Sequence, residues 1–366
     1  MKPLAVAAWS MITPLGEDDA TINALFEQRS GFSHQPSPWK LRNDLAAVIP
    51  ERPSHATRDD QWQRYLARYV TRKVLDTLPI DIQKNRCVFV FATSYGHLLD
   101  DGGNDTMSTW AKDCVRCVGF DLEPIVVGSG CSSGADALGV AAAMLDGGTI
   151  DTAIVVAVDI VTAAKRIAHS TLGTMAVSDQ KPFDINRSGM LPGEAAAAVV
   201  LMRSEDCPEH SGKLIGIGAS NDAFGLTAPD PSGLSVRLAL DRALVAAELT
   251  YSDLALYLAH GTATQLNDEL EAKVVDEVFA DNQMLTIVGT KGALGHSLGA
   301  CGLVEFILLL QMLDRQRAPA TVGLTDPIGS ISARFPGPEG RALSGPYGVS
   351  VTLGFGGFNT ALIGRA

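Results

Sequence analysis

Short unbroken apolar runs alternate along the chain with stretches in which apolar residues recur every three or four positions. The runs at residues 86–92, 123–127, 152–158, 195–202, 254–259, 285–289, 348–353 and 360–363 are bounded by Gly, Asp or Pro. That pattern predicts strands covered on both faces. The periodic stretches at 60–76, 132–145, 235–248, 268–279 and 298–313 predict helices. Strands alternating with helices predict an α/β fold. The longest apolar run, 303–313, falls short of the ~20 residues that cross a bilayer, so no membrane span is expected. The apolar stretch before Trp9 is too brief for a secretory leader, and the expected compartment is the cytoplasm.

A polar segment with Pro and Gly, residues 204–213, divides the 366-residue chain into parts spanning 1–205 and 206–366. Each part places a small-residue helix between two apolar strands and ends in a paired strand signal, which predicts a structural duplication without a residue-level repeat. Glycine changes the picture further: 36 residues, about one in ten, against a usual share near ~7%. Somewhere backbones approach closely. With aromatics at 6%, the core is built from small aliphatic side chains. The 29 basic and 41 acidic side chains leave a formal charge of −12, which excludes a nucleic-acid-coating protein. Six scattered cysteines read as reduced thiols rather than a disulfide framework.

One cysteine stands apart. Strand 123–127 runs into Gly128-Ser129-Gly130, and Cys131 then opens a helix that closes at Gly147-Gly148. Unpaired N–H groups and the helix dipole favour an anion there, so the Cys131 thiol is expected to ionise more easily than an ordinary one. The same stretch, Gly130-Cys131-Ser132-Ser133-Gly134, also satisfies the Gly-x-Ser-x-Gly elbow in which Ser132 would be the nucleophile. Locally the two readings stand level, and the partners must decide.

Two histidines supply candidates. His260 follows strand 254–259, and Lys291 and His296 lie on the connection after strand 285–289. Carboxyl ends of strands are where α/β sheets bind ligands.

Read together, the motifs resemble the β-ketoacyl synthase family of the thiolase superfamily. Gly130-Cys131-Ser132-Ser133-Gly134 resembles its nucleophile motif, and Lys181-Pro182-Phe183-Asp184 with Gly193-Glu194 its Pro-Phe-Asp segment. His260-Gly261-Thr262-Ala263-Thr264 with Asp268 matches His-Gly-Thr-x-Thr, and Lys291 with Gly295-His296 resembles the Lys…Gly-His motif. Gly354-Phe355-Gly356-Gly357-Phe358-Asn359 resembles the closing glycine-rich loop, and Ile12-Thr13-Pro14-Leu15-Gly16 the opening turn. The resemblance spans the chain and implies a five-layered α-β-α-β-α thiolase-like fold made of two similar halves.

For chemistry, the resemblance implies that Cys131 takes an acyl group from a carrier thioester, with Cys131 and Phe355 amides holding the oxyanion. His260 and His296 would then hydrogen-bond the thioester oxygen of malonyl-acyl carrier protein as CO2 leaves. Lys291, paired with Glu305, would organise the site, supported by Asp268, Thr262 and Thr264, while Phe355, Gly356 and Gly357 form the gating loop. Neither metal nor other cofactor is implied. The implied partners are an acyl carrier protein bearing acyl and malonyl thioesters and a second subunit, identical or homologous. Two histidines beside one cysteine place the chain with the elongating Cys-His-His class, and Cys131 itself favours an active subunit over a chain-length-factor-like one.

Departures from the family pattern point toward secondary metabolism, such as an aryl-polyene or aromatic polyketide pathway, at least as much as toward fatty-acid elongation. Only about 40 residues separate Val90 from Cys131, Gly130 replaces a common alanine, Ala195 a glycine and Phe358 a threonine. The rival enzyme would be a serine hydrolase using Ser132, His296 and Asp268. On the helix at 60–76, Arg64, Arg68 and Arg72 fall at i, i+4 and i+8. With Arg58 and Lys73 they form a candidate docking face for an acidic carrier. Cys114-Val115-Arg116-Cys117 has zinc-ligand spacing but no second pair of ligands, so no metal site is expected.

Overall fold

Ten principal strands carry the architecture in a computed structural model that describes residues 1–78, 82, 86–95, 106–207 and 209–366. The first five are β1 (Leu4–Thr13), β2 (Cys87–Ala92), β3 (Ile125–Val127), β4 (Thr152–Asp159) and β5 (Ala195–Arg203). The second five are β6 (Lys213–Asn221), β7 (Leu254–Ala259), β8 (Thr286–Gly289), β9 (Tyr347–Leu353) and β10 (Phe358–Arg365). They form one hydrogen-bonded path, β8-β7-β9-β10-β6-β1-β5-β4-β2-β3. Reading outward from the middle, β1-β5-β4-β2-β3 has the same order as β6-β10-β9-β7-β8. The directions repeat too: β2 is parallel to β3 and β4, and β7 to β8 and β9, with the remaining pairs in each set antiparallel. The sets meet only where Leu4 faces Leu214 and Ala5 faces Lys213.

Alternation along each strand builds the layers. In the first set Phe89, Phe91, Ile154 and Val156 pack outward against helices α1 (Asp59–Asp76) and α2 (Met107–Cys117). Val88, Val90, Val155 and Val199 point inward. In the second set Tyr257, Ala259, Val349 and Ile363 pack against two outer helices, Leu234–Ala247 and Gln265–Val278, while Leu256, Leu258 and Leu362 face inward. Between the sheets lie α3 (Ser133–Asp146) and the helix Cys301–Asp314, whose apolar side chains share one core with both. The result is five layers in the thiolase-like α-β-α-β-α arrangement. In chain order the other helices that matter below are α4 (Ala163–Thr171), α5 (Leu234–Ala247), α6 (Gln265–Val278) and α7 (Cys301–Asp314).

Glycine earns its abundance where α3 crosses α7. A Cβ on Gly134 would stand 2.8 Å from the Leu303 nitrogen, and one on Gly302 would stand 2.7 Å from the Ala135 nitrogen. Both obstacles are backbone, which cannot swing aside. Gly302→Ala is therefore expected to destabilise the fold by about 1–3 kcal/mol, measurable as a lower urea midpoint; an unchanged midpoint would show that the two helices can part.

Two of the ten strands lie outside the strands the apolar pattern predicts. β1 carries Trp9 and Ser10 within its apolar run, and β6 is interrupted by Gly216 and Gly218. The glycines let α5 lie against β6, since added Cβ atoms would meet the backbones of Ala243 and Ala239. The short helices α2 and α4 likewise lack a long apolar period. The predicted helix 268–279 starts earlier, at Gln265, and the one at 298–313 opens with a 3-10 turn, Leu298–Ala300. All six cysteines are free. Among the described residues no helix is long and apolar enough to cross a membrane.

Candidate active site

The strand β3 ends at Val127, and the turn that follows throws Cys131 into the middle of the molecule. Gly130 has φ +65°, in the left-handed region, where an alanine would be strained. The Ser133 hydroxyl closes the turn, accepting from the Ser129 N–H at 3.0 Å and donating to the Gly130 carbonyl at 2.7 Å. Cys131 is left 6% exposed. Its Sγ lies 3.2 Å from His296 Nε2, and the Phe355 N–H is directed at it.

The expectation of a readily ionised thiol is overturned. Burial pushes the Cys131 thiol up to about 11, outweighing the Phe355 amide and the Lys291 charge. Burial, and then Lys291, hold His296 well below its ordinary value. The resting pair is thus an uncharged thiol beside an uncharged imidazole, and a thiolate would form there only as the proton passed to Nε2. The ultraviolet thiolate band of Cys131, taken as wild type minus Cys131→Ser, is expected to be absent at neutral pH and to grow in as pH rises toward about 11. A band already full at neutral pH would mean a preformed ion pair.

His260 sits at the end of β7, its ring centroid 5.3 Å from that of His296 and the planes 84° apart. Burial, Lys291 and His296 together keep it far below its ordinary value, hence neutral. Its backbone is clamped from both sides. Glu271, on α6, accepts the His260 and Gly261 N–H groups at 2.8 Å each, and Lys291 Nζ donates to the His260 carbonyl at 2.6 Å. Lys291 also pairs with Glu305 at 2.6 Å, and Glu305 accepts the Thr290 hydroxyl at 2.9 Å. Burial works to lower the Lys291 pKa, but the Glu305 carboxylate carries it above its ordinary value, so the amine stays charged. Donor atoms of His260, Cys301 and Glu305 lie within 4.8 Å of one another, the one group of that kind among the described residues.

The loop 354–357 closes the site from the other half. Gly356 and Gly357 have φ of +86° and +80°, and the Gly356 N–H donates to the Leu226 carbonyl at 2.9 Å. Cys131, His260, His296 and Phe355 open on one cavity of about 540 Å³, which Thr262 and Thr264 also line. Those two hydroxyls are 2.9 Å apart.

The geometry corrects the serine-hydrolase reading. Ser132 Oγ turns away and donates to Asp136 Oδ2 at 2.7 Å and to the Ser129 carbonyl at 3.0 Å. Asp268 accepts the Phe183 and Ala263 amides at 2.7 and 3.1 Å. It anchors the Pro-Phe-Asp loop and orients no histidine, and burial raises its carboxyl to about 6. Most cations of the arginine stripe, the candidate docking face, have partners within the chain. Arg64 pairs with Asp113 at 2.9 Å, Arg58 with Asp60 at 2.7 Å, and Lys73 with Asp18 at 2.6 Å and Glu17 at 2.7 Å. Arg72 donates to the Cys117 carbonyl at 2.9 Å, and Arg68 Nε is buried. The stripe ties α1 to its neighbours, and the field a carrier would meet there is largely compensated.

Sequence reasoning missed two groups. Glu271 follows Asp268 by three residues on one face of α6, a spacing that could have singled it out. His169 lines the cavity from α4, a helix without a long apolar period to reveal it.

Residues 102–207 match the model of the β-ketoacyl synthase N-terminal domain, and residues 211–325 that of the β-ketoacyl synthase C-terminal domain. A stretch of 246 residues, 64% of the chain, is 32% identical to the 3-oxoacyl-[acyl-carrier-protein] synthase 2 of Mycobacterium leprae (strain TN). The match to the enzyme of the same description from Mycobacterium tuberculosis (strain ATCC 25618 / H37Rv) is also 32% identical over 246 residues. The matched region spans 58% and 59% of the lengths of these relatives. Among solved structures, a β-ketoacyl synthase from Burkholderia phymatum aligns with TM-score 0.84 at 24% identity, over 100% of this chain and 99% of that one. A type II polyketide synthase acyl-carrier protein in complex with its ketosynthase gives TM-score 0.88 at 19% identity, over 100% and 99%. A ketosynthase in complex with its chain length factor from Xenorhabdus doucetiae gives 0.85 at 21%, over 100% and 98%. Likeness at such identities is likeness of fold.

Proposed function

The chain belongs to the β-ketoacyl synthase family, and from that premise we propose that it is an acyltransferase performing decarboxylative Claisen condensation between an acyl group on Cys131 and malonyl-acyl carrier protein. The observation that carries this reading is the convergence of Cys131 Sγ with His296 Nε2 at 3.2 Å and of His260 with His296. Product formation would serve fatty-acid or polyketide synthesis, an aryl-polyene type included.

The chemistry follows from the geometry. As Sγ attacks the acyl thioester carbon, its proton passes to His296 Nε2, and the amides of Cys131 and Phe355 receive the oxyanion. Collapse expels the carrier thiolate, which takes a proton from solvent and leaves an acyl-cysteine. The malonyl thioester oxygen then accepts from Nε2–H of His260 and His296. Breaking the carboxylate C–C bond releases CO2, and the electron pair it leaves forms the enolate those bonds stabilise. The enolate carbon attacks acyl-Cys131, the C–S bond breaks, and the sulfur recovers the proton from His296. Lys291, Glu305 and Glu271 act by holding the His260 backbone. Thr262 and Thr264, at the cavity wall, would steady the carrier's thioester arm, and Phe355, Gly356 and Gly357 would admit it.

An acyl carrier protein is the proposed partner for both thioesters. We also propose pairing with a second subunit, identical or homologous; support comes from the complexed ketosynthases above and from β3, which ends the described sheet with only half-buried residues. The halves are proposed to divide between residues 205 and 206. Incubation with acyl and malonyl carrier proteins, followed by weighing of protein and products, tests the reading: an acyl adduct on Cys131, CO2 release and a two-carbon-longer β-ketoacyl carrier are expected. An adduct without CO2 would instead indicate a pure transferase or partner subunit.

A further inference from the structure

His169 is a buried titratable side chain in the last turn of α4 that the condensation steps leave unused. It lines the same cavity as Cys131 and is 8% exposed. Its Nδ1 lies 2.9 Å from Thr174 Oγ1, and that hydroxyl also donates to the His169 carbonyl at 3.3 Å. The ring leans on Phe355, centroids 5.9 Å apart and planes at 41°. Among the described residues the ring makes no other hydrogen bond, and Nε2 has no partner among them. Burial, and then the nearby Lys165 charge, lower its pKa to about 4, so the ring is neutral at working pH. Leu172, Val177 and Met190 line the same cavity, together with the polar Arg42, Arg187 and Ser188.

Resting on the ketosynthase reading, we propose that His169 is a specificity-determining residue that favours acyl chains bearing a hydroxyl over saturated alkyl chains of the same length. With the Thr174 hydroxyl donating to the His169 carbonyl, Nδ1–H donates to Thr174 Oγ1, and the neutral ring offers Nε2 as an acceptor for a substrate hydroxyl. An alkyl chain lying against it would strip its water and return nothing. Such asymmetry discriminates far better than shape alone, because the penalty falls on the unpaired buried group.

The test compares hydroxyacyl and alkyl N-acetylcysteamine thioesters of equal length as donors to Cys131, following the adduct by mass. Wild type is expected to prefer the hydroxyacyl donor. In His169→Phe the ratio of the two kcat/KM values should fall by about tenfold to a hundredfold, carried by loss on the hydroxyacyl donor. His169→Gln, whose amide can occupy the Nε2 position, should restore most of the ratio. A packing role would slow both donors alike, so an unchanged ratio in His169→Phe overturns the proposal, as does a Gln variant no better than Phe. Failure of either donor to acylate Cys131 in wild type would instead defeat the ketosynthase reading.

Discussion

Cys131→Ala is expected to abolish acyl transfer, a loss of roughly 10⁴-fold or more, while the protein stays folded and still releases CO2 from malonyl carrier. The reason lies in the division of labour at the site. On the proposed reading only the sulfur holds the acyl group, so no arrangement of the remaining donors replaces it. Decarboxylation asks something different, namely two imidazole N–H donors aimed at one oxygen, and His260 and His296 keep their places without the thiol. Alanine is small enough for the buried turn, whose geometry rests on Gly130 and on the Ser133 hydroxyl rather than on the thiol. Mass spectrometry for the adduct and trapping of CO2 read the two activities separately. An adduct that persists in Cys131→Ala and disappears only in Ser132→Ala would sink the cysteine mechanism.

Lys291→Met is expected to cost about 3–5 kcal/mol of folding stability and most of the condensing activity. Lys291 and Glu305 are 1% and 2% exposed, so removing the amine strands a carboxylate in the interior, with Thr290 as its remaining hydrogen-bond donor. The His260 carbonyl also loses the ammonium that donates to it. The double variant Lys291→Met, Glu305→Leu separates the two effects. Its urea midpoint should return most of the way to wild type, because the Lys291–Glu305 pair leaves no stranded charge, while CO2 release stays low, because the His260 carbonyl still lacks its ammonium donor. A double variant as unstable as the single one would show that the ion pair is not what the fold misses; one with full activity would show that His260 needs no anchor.

How much of this was legible in the chain depended on which physical signal each part carried. The strands at 152–158 and 254–259 announced themselves because both faces are buried and every position must be apolar. β1 and β6 did not, because Trp9 and Ser10 in one and Gly216 and Gly218 in the other break the run. Cys131, His260, Lys291 and His296 were legible as a motif set, each at a turn between strand and helix. Glu271 and His169 were missed: only the three-residue step from Asp268 hints at the first, and an imidazole on a short helix looks in sequence like any surface polar residue. The arginine stripe shows what spacing leaves out. Periodicity put Arg64, Arg68 and Arg72 on one face, but nothing in the spacing reveals that Asp113, on a helix far along the chain, comes to meet it.

The order of residues alone settled the layered α/β class, the candidate nucleophile and histidines, and the family they resemble, because those depend on local period and on motifs read within a few residues. Only the folded chain decided the charge state of the thiol, the idleness of Ser132 as a nucleophile, and the hold of Lys291 and Glu271 on His260. Each of those is a contest between burial and contacts made across more than one segment: the Phe355 amide and the Lys291 charge that favour a thiolate at Cys131 are outweighed by the desolvation of the buried sulfur.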